Sequence, residues 1–209
     1  MSRYIDASCR KCRALNTKLF LKGSRCSSGK CAIERGKMGP GQHGVDQKFR
    51  KDSDYELHLK EKQRLRLAYG LAERQFRGYF ALANSQKAIP TGGKLLELLE
   101  RRLDNVVFRM GIQPGRKSAR QMVCHGNVFV NGHRVDIPSY QVRVGDAVTL
   151  TDTGKSMISV QESVASKPAT PQWLSFSPDK FEGTVLTIPT AEQIGIPINT
   201  RLVIEYYSK

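Results

Sequence analysis

Cys9 and Cys12 form a CxxC pair, and Cys26 and Cys31 form a second, slightly wider one, all inside the first 31 residues. A tight CxxC turn aims two sulfurs at one centre, and the returning loop supplies two more, which is the donor set of a tetrahedral thiolate metal site. Zinc is the expected ion. An iron–sulfur cluster needs the same four thiolates and spacing alone leaves it open, but nothing else in the chain suggests electron transfer. Four protein ligands leave no position for water or substrate, so the expected role is structural. Arg10, Lys11, Arg13, Arg25 and Lys30 surround the thiols and favour their ionised forms. Cys124 stands apart, beside Met122 and Val123, and reads as a buried small hydrophobe.

Two stretches imitate phosphate-handling motifs. Gly39-Pro40-Gly41-Gln42-His43-Gly44 fits GxGxxG, but no apolar strand precedes it and no amphipathic helix starts directly after it. GSRCSSGKC resembles a phosphate-binding loop, yet its first glycine is one residue too distant and Cys31 replaces the final Ser/Thr. His43, His58, His125 and His133 sit beside basic residues or glycine with no nucleophile and carboxylate around them, so no catalytic triad is expected. The cations say more. Lys62, Arg64 and Arg66 follow Lys60 in LKEKQRLRL on more than one helical face, with fewer interspersed acids than a solvated helix carries. Arg116, Lys117 and Arg120 fall at the start of a short helix, where backbone amides also attract phosphate.

The whole chain of 209 residues has a formal net charge of +15, and residues 1–77 hold 19 basic and 8 acidic side chains against 15 and 11 in the remainder. A polyanionic partner follows from this balance. No run approaches the roughly 20 apolar residues of a spanning helix, and MSRYIDAS lacks the apolar core of a signal peptide. A cytoplasmic protein is expected, in whose reducing surroundings the cysteines would not pair as disulfides.

The elements that must position these groups read as follows. Residues 1–45 show no sustained period and need an external source of order. Ser53 and Glu56 open a helix that Gly70 stops, and Phe76, Tyr79, Phe80 and Ala83 form the apolar face of a second helix. Leu95, Leu99, Leu103, Val106 and Met110 lie on one helical stripe ending at Gly111. KSARQMVCHG reads as a short helix, and Asn131-Gly132 marks a hairpin. Residues 140–144 and 147–150 read as strands, 151–172 as a connector that could hold some helix, and WLSF, TVLTI and RLVIEYY as strands or short packed segments.

RLDNVVFRMG, RKSARQMVCHGNVFVNGHRV and PSYQVRVGD resemble the small RNA-binding domain named after the fourth protein of the bacterial small ribosomal subunit. The four-cysteine arm, PGQHG, SDYELHLKEKQRLRLAYGLAERQFRGYF, WLSF and LVIEYYSK are similar to that ribosomal protein family itself, over almost the whole chain. The resemblance implies an α+β fold: a four-cysteine basic arm at 1–45, a helical RNA-binding domain at 46–93 completed by 165–209, an inserted α/β RNA-binding domain at 94–155 with two helices on a short antiparallel sheet, and a connector at 156–164. It implies a non-enzymatic structural constituent of the small subunit, which binds small-subunit ribosomal RNA directly and early, nucleates assembly and supports translational accuracy. It places the family beside the third and fifth proteins of the small subunit, near the channel through which messenger RNA enters. An RNA-modifying enzyme anchored by the same small domain is the alternative. No membrane partner and no homo-oligomer are expected. RNA contact is carried onto Arg102, Arg116, Lys117, Arg120, Gln121 and His125, and onto the basic loop of Lys48, Arg50 and Lys51. Arg3, Arg10, Lys11, Arg13 and Lys22 of the arm, with Lys62, Arg64 and Arg66, are the further candidates on charge.

Overall fold

The computed structural model describes residues 4, 6–45, 51–86, 88–166, 169–195 and 198–208. They divide into two compact units, Met1–Gly92 with Pro197–Lys209, and Gly93–Ile196. In chain order the helices are α1 (Ser8–Ala14), α2 (Asp54–Ala68), α3 (Glu73–Ser85), α4 (Thr91–Glu100), α5 (Leu103–Arg109), α6 (Arg116–Cys124), α7 (Asp152–Lys155), α8 (Ile158–Ala165), α9 (Ala191–Ile194) and α10 (Thr200–Ser208). The strands are β1 (Val128–Val130), β2 (His133–Arg134), β3 (Ala147–Leu150), β4 (Leu174–Ser177) and β5 (Glu182–Val185). The fold is α+β, as the sequence implies.

In the first unit, α2 begins where Ser53 Oγ accepts a hydrogen bond from the Glu56 amide at 3.3 Å, and it ends at Gly70, whose φ of 66° few other residues adopt. RLVIEYY, expected as a strand or packed segment, is helical: it forms α10, which packs along α2. A short apolar run cannot distinguish the two on periodicity alone; the i, i+4 pair Val203 and Tyr207 settles it by pointing inward together. Tyr207 stacks on Phe80 with ring centroids 4.6 Å apart, and its hydroxyl donates to Glu73 Oε1 at 2.8 Å. Lys62 Nζ donates to the same carboxylate oxygen at 2.9 Å and lies 4.7 Å from the Tyr206 ring centroid. Burial raises the Glu73 carboxyl, but its bonds from Lys62 and Tyr207 and the Arg66 charge outweigh that and leave it below its ordinary value. Burial, reinforced by Glu73, pushes the Tyr207 hydroxyl well up.

In the second unit, one antiparallel sheet runs in the order β2-β1-β3-β5-β4, with Val130 opposite Val148 and Val148 opposite Gly183. Its apolar face meets α5, α6 and α8 around a core of Leu103, Val106, Val107, Met110, Met122, Val123, Val148, Val160 and Trp173. The stripe from Leu95 to Met110, expected as one helix, is broken: Arg102 is extended, at φ −67° and ψ 136°, between α4 and α5. The segment expected as a strand at 140–144 fills the break. Tyr140 O accepts from the Leu103 amide at 2.9 Å, the Val142 amide donates to Arg101 O at 2.9 Å, and Gln141 bridges Arg102.

The division differs from the expected domain boundaries. Residues 165–195 belong with the second unit rather than the first, because β5 pairs with β3 and Trp173 is fully buried in that core. The stretch 156–164, expected as a connector, holds most of α8 and contributes Val160 to the same core.

Candidate nucleic-acid interface

Helix α6 divides its faces by chemistry. Ala119, Met122 and Val123 are buried in the core, while Gln121, Cys124 and His125 are exposed and Arg116 and Lys117 are half-buried. Cys124 is therefore a surface residue, not the buried hydrophobe expected; it follows Val123 past the edge of the buried stripe. The helix ends at Gly126, with φ 68°, and the Arg134 guanidinium from β2 packs so closely over Gly126 that a Cβ there would collide with it. Arg134 Nη2 donates to His125 O at 3.2 Å, placing a cation at the negative end of the helix. The hairpin that carries Arg134 turns at Asn131 and Gly132, both with positive φ, 50° and 79°, as the Asn-Gly signal predicts. Asn131 Nδ2 also donates to Asp146 Oδ1 at 2.8 Å. Lys117, Gln121 and His125 recur at four-residue intervals along α6, and Arg134 reaches the end of that row from the hairpin, so helix and hairpin together offer a polar surface of positive sign.

Behind this surface lies a buried polar network. Arg102 Nε and Nη2 donate to the two oxygens of Asp104 at 3.0 and 2.7 Å, and Arg120 Nη1 donates to Asp104 Oδ2 at 3.0 Å. Arg109 Nε and Nη2 grip Glu100 at 2.9 and 2.8 Å. Asp104 and Glu100 thus accept from three guanidiniums, those of Arg102, Arg120 and Arg109, in charge-assisted bonds.

In the arm, Cys12, Cys26 and Cys31 are buried and Cys9 is half-buried. Burial pushes the Cys12 thiol up; a bond from the Leu19 backbone opposes this, and the fields of Cys26, Cys9 and Cys31 add to it. The Lys22 amide donates to Cys26 Sγ at 3.3 Å. Among the described residues, no three His, Cys, Asp or Glu side chains are gathered into a preformed coordination group. The donor chemistry nevertheless fits a soft dication, with four thiols sharing one neighbourhood and backbone donors aimed at two of the sulfurs.

A family profile described as the ribosomal protein S4/S9 N-terminal domain matches residues 3–100, and one described as the S4 domain matches residues 101–148. The chain is 50% identical over 212 residues to small ribosomal subunit protein uS4 of Acetivibrio thermocellus, covering all of both chains. The proteins of the same name from Pelobacter propionicus and Geotalea daltonii are 48% and 49% identical over 211 residues, again with full coverage of both chains. The chain belongs to the uS4 family. It is a family of structural ribosomal proteins, not enzymes. The S4-domain match takes in α5, α6, β1 and β2 and reaches into β3, so the accessible α6 and hairpin surface lies wholly within it.

Several residues expected to touch RNA are placed elsewhere in this uS4 chain. Arg102 is 0% exposed and bonded to Asp104, and Lys62 is 3% exposed and bonded to Glu73, so neither reaches a ligand. The Arg120 side chain is only 11% exposed. Arg64 is paired with Glu61 at 2.9 Å, and Arg66 is bonded to Gln63 and lies 3.3 Å from Glu73, so the α2 cations answer their own unit's acids rather than standing as a free basic face. In the arm, Arg10 and Lys22 are exposed, Lys11 lies over the Tyr4 ring at 4.2 Å, and Arg13 donates to Met38 O at 3.3 Å. Lys51 is exposed; Arg3, Lys48 and Arg50 lie outside the described residues. His133, Arg134 and Arg143, none of which was expected to touch RNA, are exposed. A polar pair in a two-residue strand directly after an Asn-Gly turn was the available signal for the first two.

Proposed function

We propose that this chain is a structural constituent of the cytoplasmic small ribosomal subunit that binds small-subunit ribosomal RNA directly through its phosphate backbone. The observation that carries this is end-to-end identity of about half with proteins named for that subunit, on a chain whose S4 domain presents a cationic helix-and-hairpin face. Phosphate contacts from Lys117, Arg116 and Arg134, with polar contacts from Gln121, His125 and His133, suit recognition of folded RNA by shape and backbone. Arg10, Lys22 and Lys51 supply further attraction from the first unit. Early binding that nucleates assembly, a place beside the third and fifth small-subunit proteins near the channel for incoming messenger RNA, and a contribution to accuracy complete this reading. An RNA-modifying enzyme finds no support, since the relatives that match the chain end to end are named as small ribosomal subunit proteins. Co-sedimentation tests the proposal: tagged protein should track with small subunits through a sucrose gradient, and recovery only in the ribosome-free fractions would refute it.

In the same reading Cys9, Cys12, Cys26 and Cys31 hold one structural zinc ion, with an iron–sulfur cluster the less favoured occupant. Bound metal would supply the ordering energy that a polar arm cannot draw from apolar burial. Cys9→Ser and Cys26→Ser are expected to make residues 6–45 sensitive to limited proteolysis while the second unit, whose core shares none of these residues, keeps its melting temperature. Full metal content by elemental analysis and an unchanged digestion pattern in both variants would reject the site.

A further inference from the structure

Arg116 opens α6 with its guanidinium already committed to a plane. Its Nε donates to Asn105 Oδ1 at 2.8 Å, and its Cζ lies 4.4 Å from the centroid of the Phe108 ring. Asn105 is 2% exposed and has no route to a ligand of its own. Its amide nitrogen donates to Glu100 Oε2 at 2.8 Å and to Glu100 O at 3.0 Å. Glu100 is fully buried and held from the other side by both Arg109 donors. A flipped Asn105 would set its oxygen against the Glu100 oxygens and its NH₂ against the Arg116 Nε–H, so only one orientation satisfies all four groups.

We propose that Asn105 is a positioning residue for RNA-backbone recognition. Held by Glu100, which Arg109 holds in turn, it fixes the Arg116 guanidinium at the N-terminal end of α6, where helix amides and cation meet the same phosphate. The inference rests on the proposed contact of Arg116 with RNA. An arginine whose plane is set in advance loses less rotamer freedom when a phosphate arrives. The chain Glu100–Asn105–Arg116 therefore does at a binding face what a supporting shell does at a metal site.

The test is a double-mutant cycle on the full chain, with folded small-subunit ribosomal RNA as ligand and affinity measured across a salt series. Asn105→Leu removes the acceptor for Arg116 without changing net charge, and leaves Glu100 bonded twice by Arg109. It should weaken binding by roughly 2- to 10-fold, the cost of immobilising one long side chain, with the slope of log affinity on log salt unchanged because no phosphate contact is lost. Arg116→Ala should weaken binding and make that slope shallower by about one contact. The double variant should bind no worse than Arg116→Ala alone, a result that a general structural defect would not give. Wild-type affinity for Asn105→Leu beside a weakened Arg116→Ala, or full additivity in the double variant, would overturn the positioning role and leave the proposed RNA contact standing. Wild-type affinity for Arg116→Ala would overturn both. If Asn105→Leu does not fold, Asn105→Ala and Asn105→Ser take its place in the same cycle with Arg116→Ala: weakening that vanishes in the double variant supports the inference, and wild-type affinity or full additivity overturns it.

Discussion

Asp104→Ala is expected to destabilise the second unit by about 3–5 kcal/mol, enough to unfold much of it at physiological temperature. Asp104 accepts both bonds of a bidentate pair from Arg102, a residue with no solvent access, and a third bond from Arg120. Removing the carboxylate takes from a fully buried guanidinium both of its bonds to Asp104, and breaking a buried pair from one side costs far more than the intact pair contributes. Arg102 is also the extended residue between α4 and α5, so a shift to rehydrate its charge would pull on the 140–142 segment bonded at the break. Urea denaturation followed by Trp173 fluorescence, the single tryptophan lying in this core, reads the effect. A loss below about 1 kcal/mol would mean that water reaches Arg102 and that the pair is not sealed.

The second large effect is on binding. If about six to ten phosphates are neutralised, affinity for folded small-subunit ribosomal RNA should fall on the order of 10³- to 10⁵-fold between about 50 and 200 mM salt. The net charge of +15 supplies the cations, and the structure narrows which of them can act. Those of α2 are internally paired and those at 102 and 120 are held in the network. Substituting Lys117 or Arg134, both on the α6 and hairpin face, should lower the salt slope by about one each, whereas Arg64→Ala should leave it unaltered. Equal slopes for all of these variants would place the contact surface elsewhere.

Charge, helix stripes and the Asn-Gly turn were legible in the sequence because each is a local signal: a count, a period of 3.6, a dipeptide with an unusual φ. Burial of particular cations was not. Arg102 and Lys62 look like ligands on charge and motif, yet an arginine two residues before an aspartate can close on it, and a lysine on a helix can be covered by a partner from the far end of the chain, as Tyr206 and Tyr207 cover Lys62. That partner, α10, was itself hidden, since RLVIEYY suits strand and helix alike until Val203 and Tyr207 are seen to face one side. The boundary near 165 failed for a related reason: β5 joins β3 across more than thirty intervening residues, a pairing that no local pattern announces. Asn105 is the most instructive case. Nothing about one asparagine in an apolar helix suggests function, and the role proposed for it comes into view only when Glu100, itself held by Arg109, and Arg116 are seen on either side of its amide.

The most direct test is a competition. Wild-type protein and the triple variant Lys117→Ala, His125→Ala, Arg134→Ala are bound to folded small-subunit ribosomal RNA and challenged with excess heparin and transfer RNA. The wild type should stay on the ribosomal RNA and the variant should be displaced while remaining folded, because none of the three side chains belongs to the apolar core. Displacement of both proteins alike, or of neither, would contradict recognition through the α6 and hairpin face.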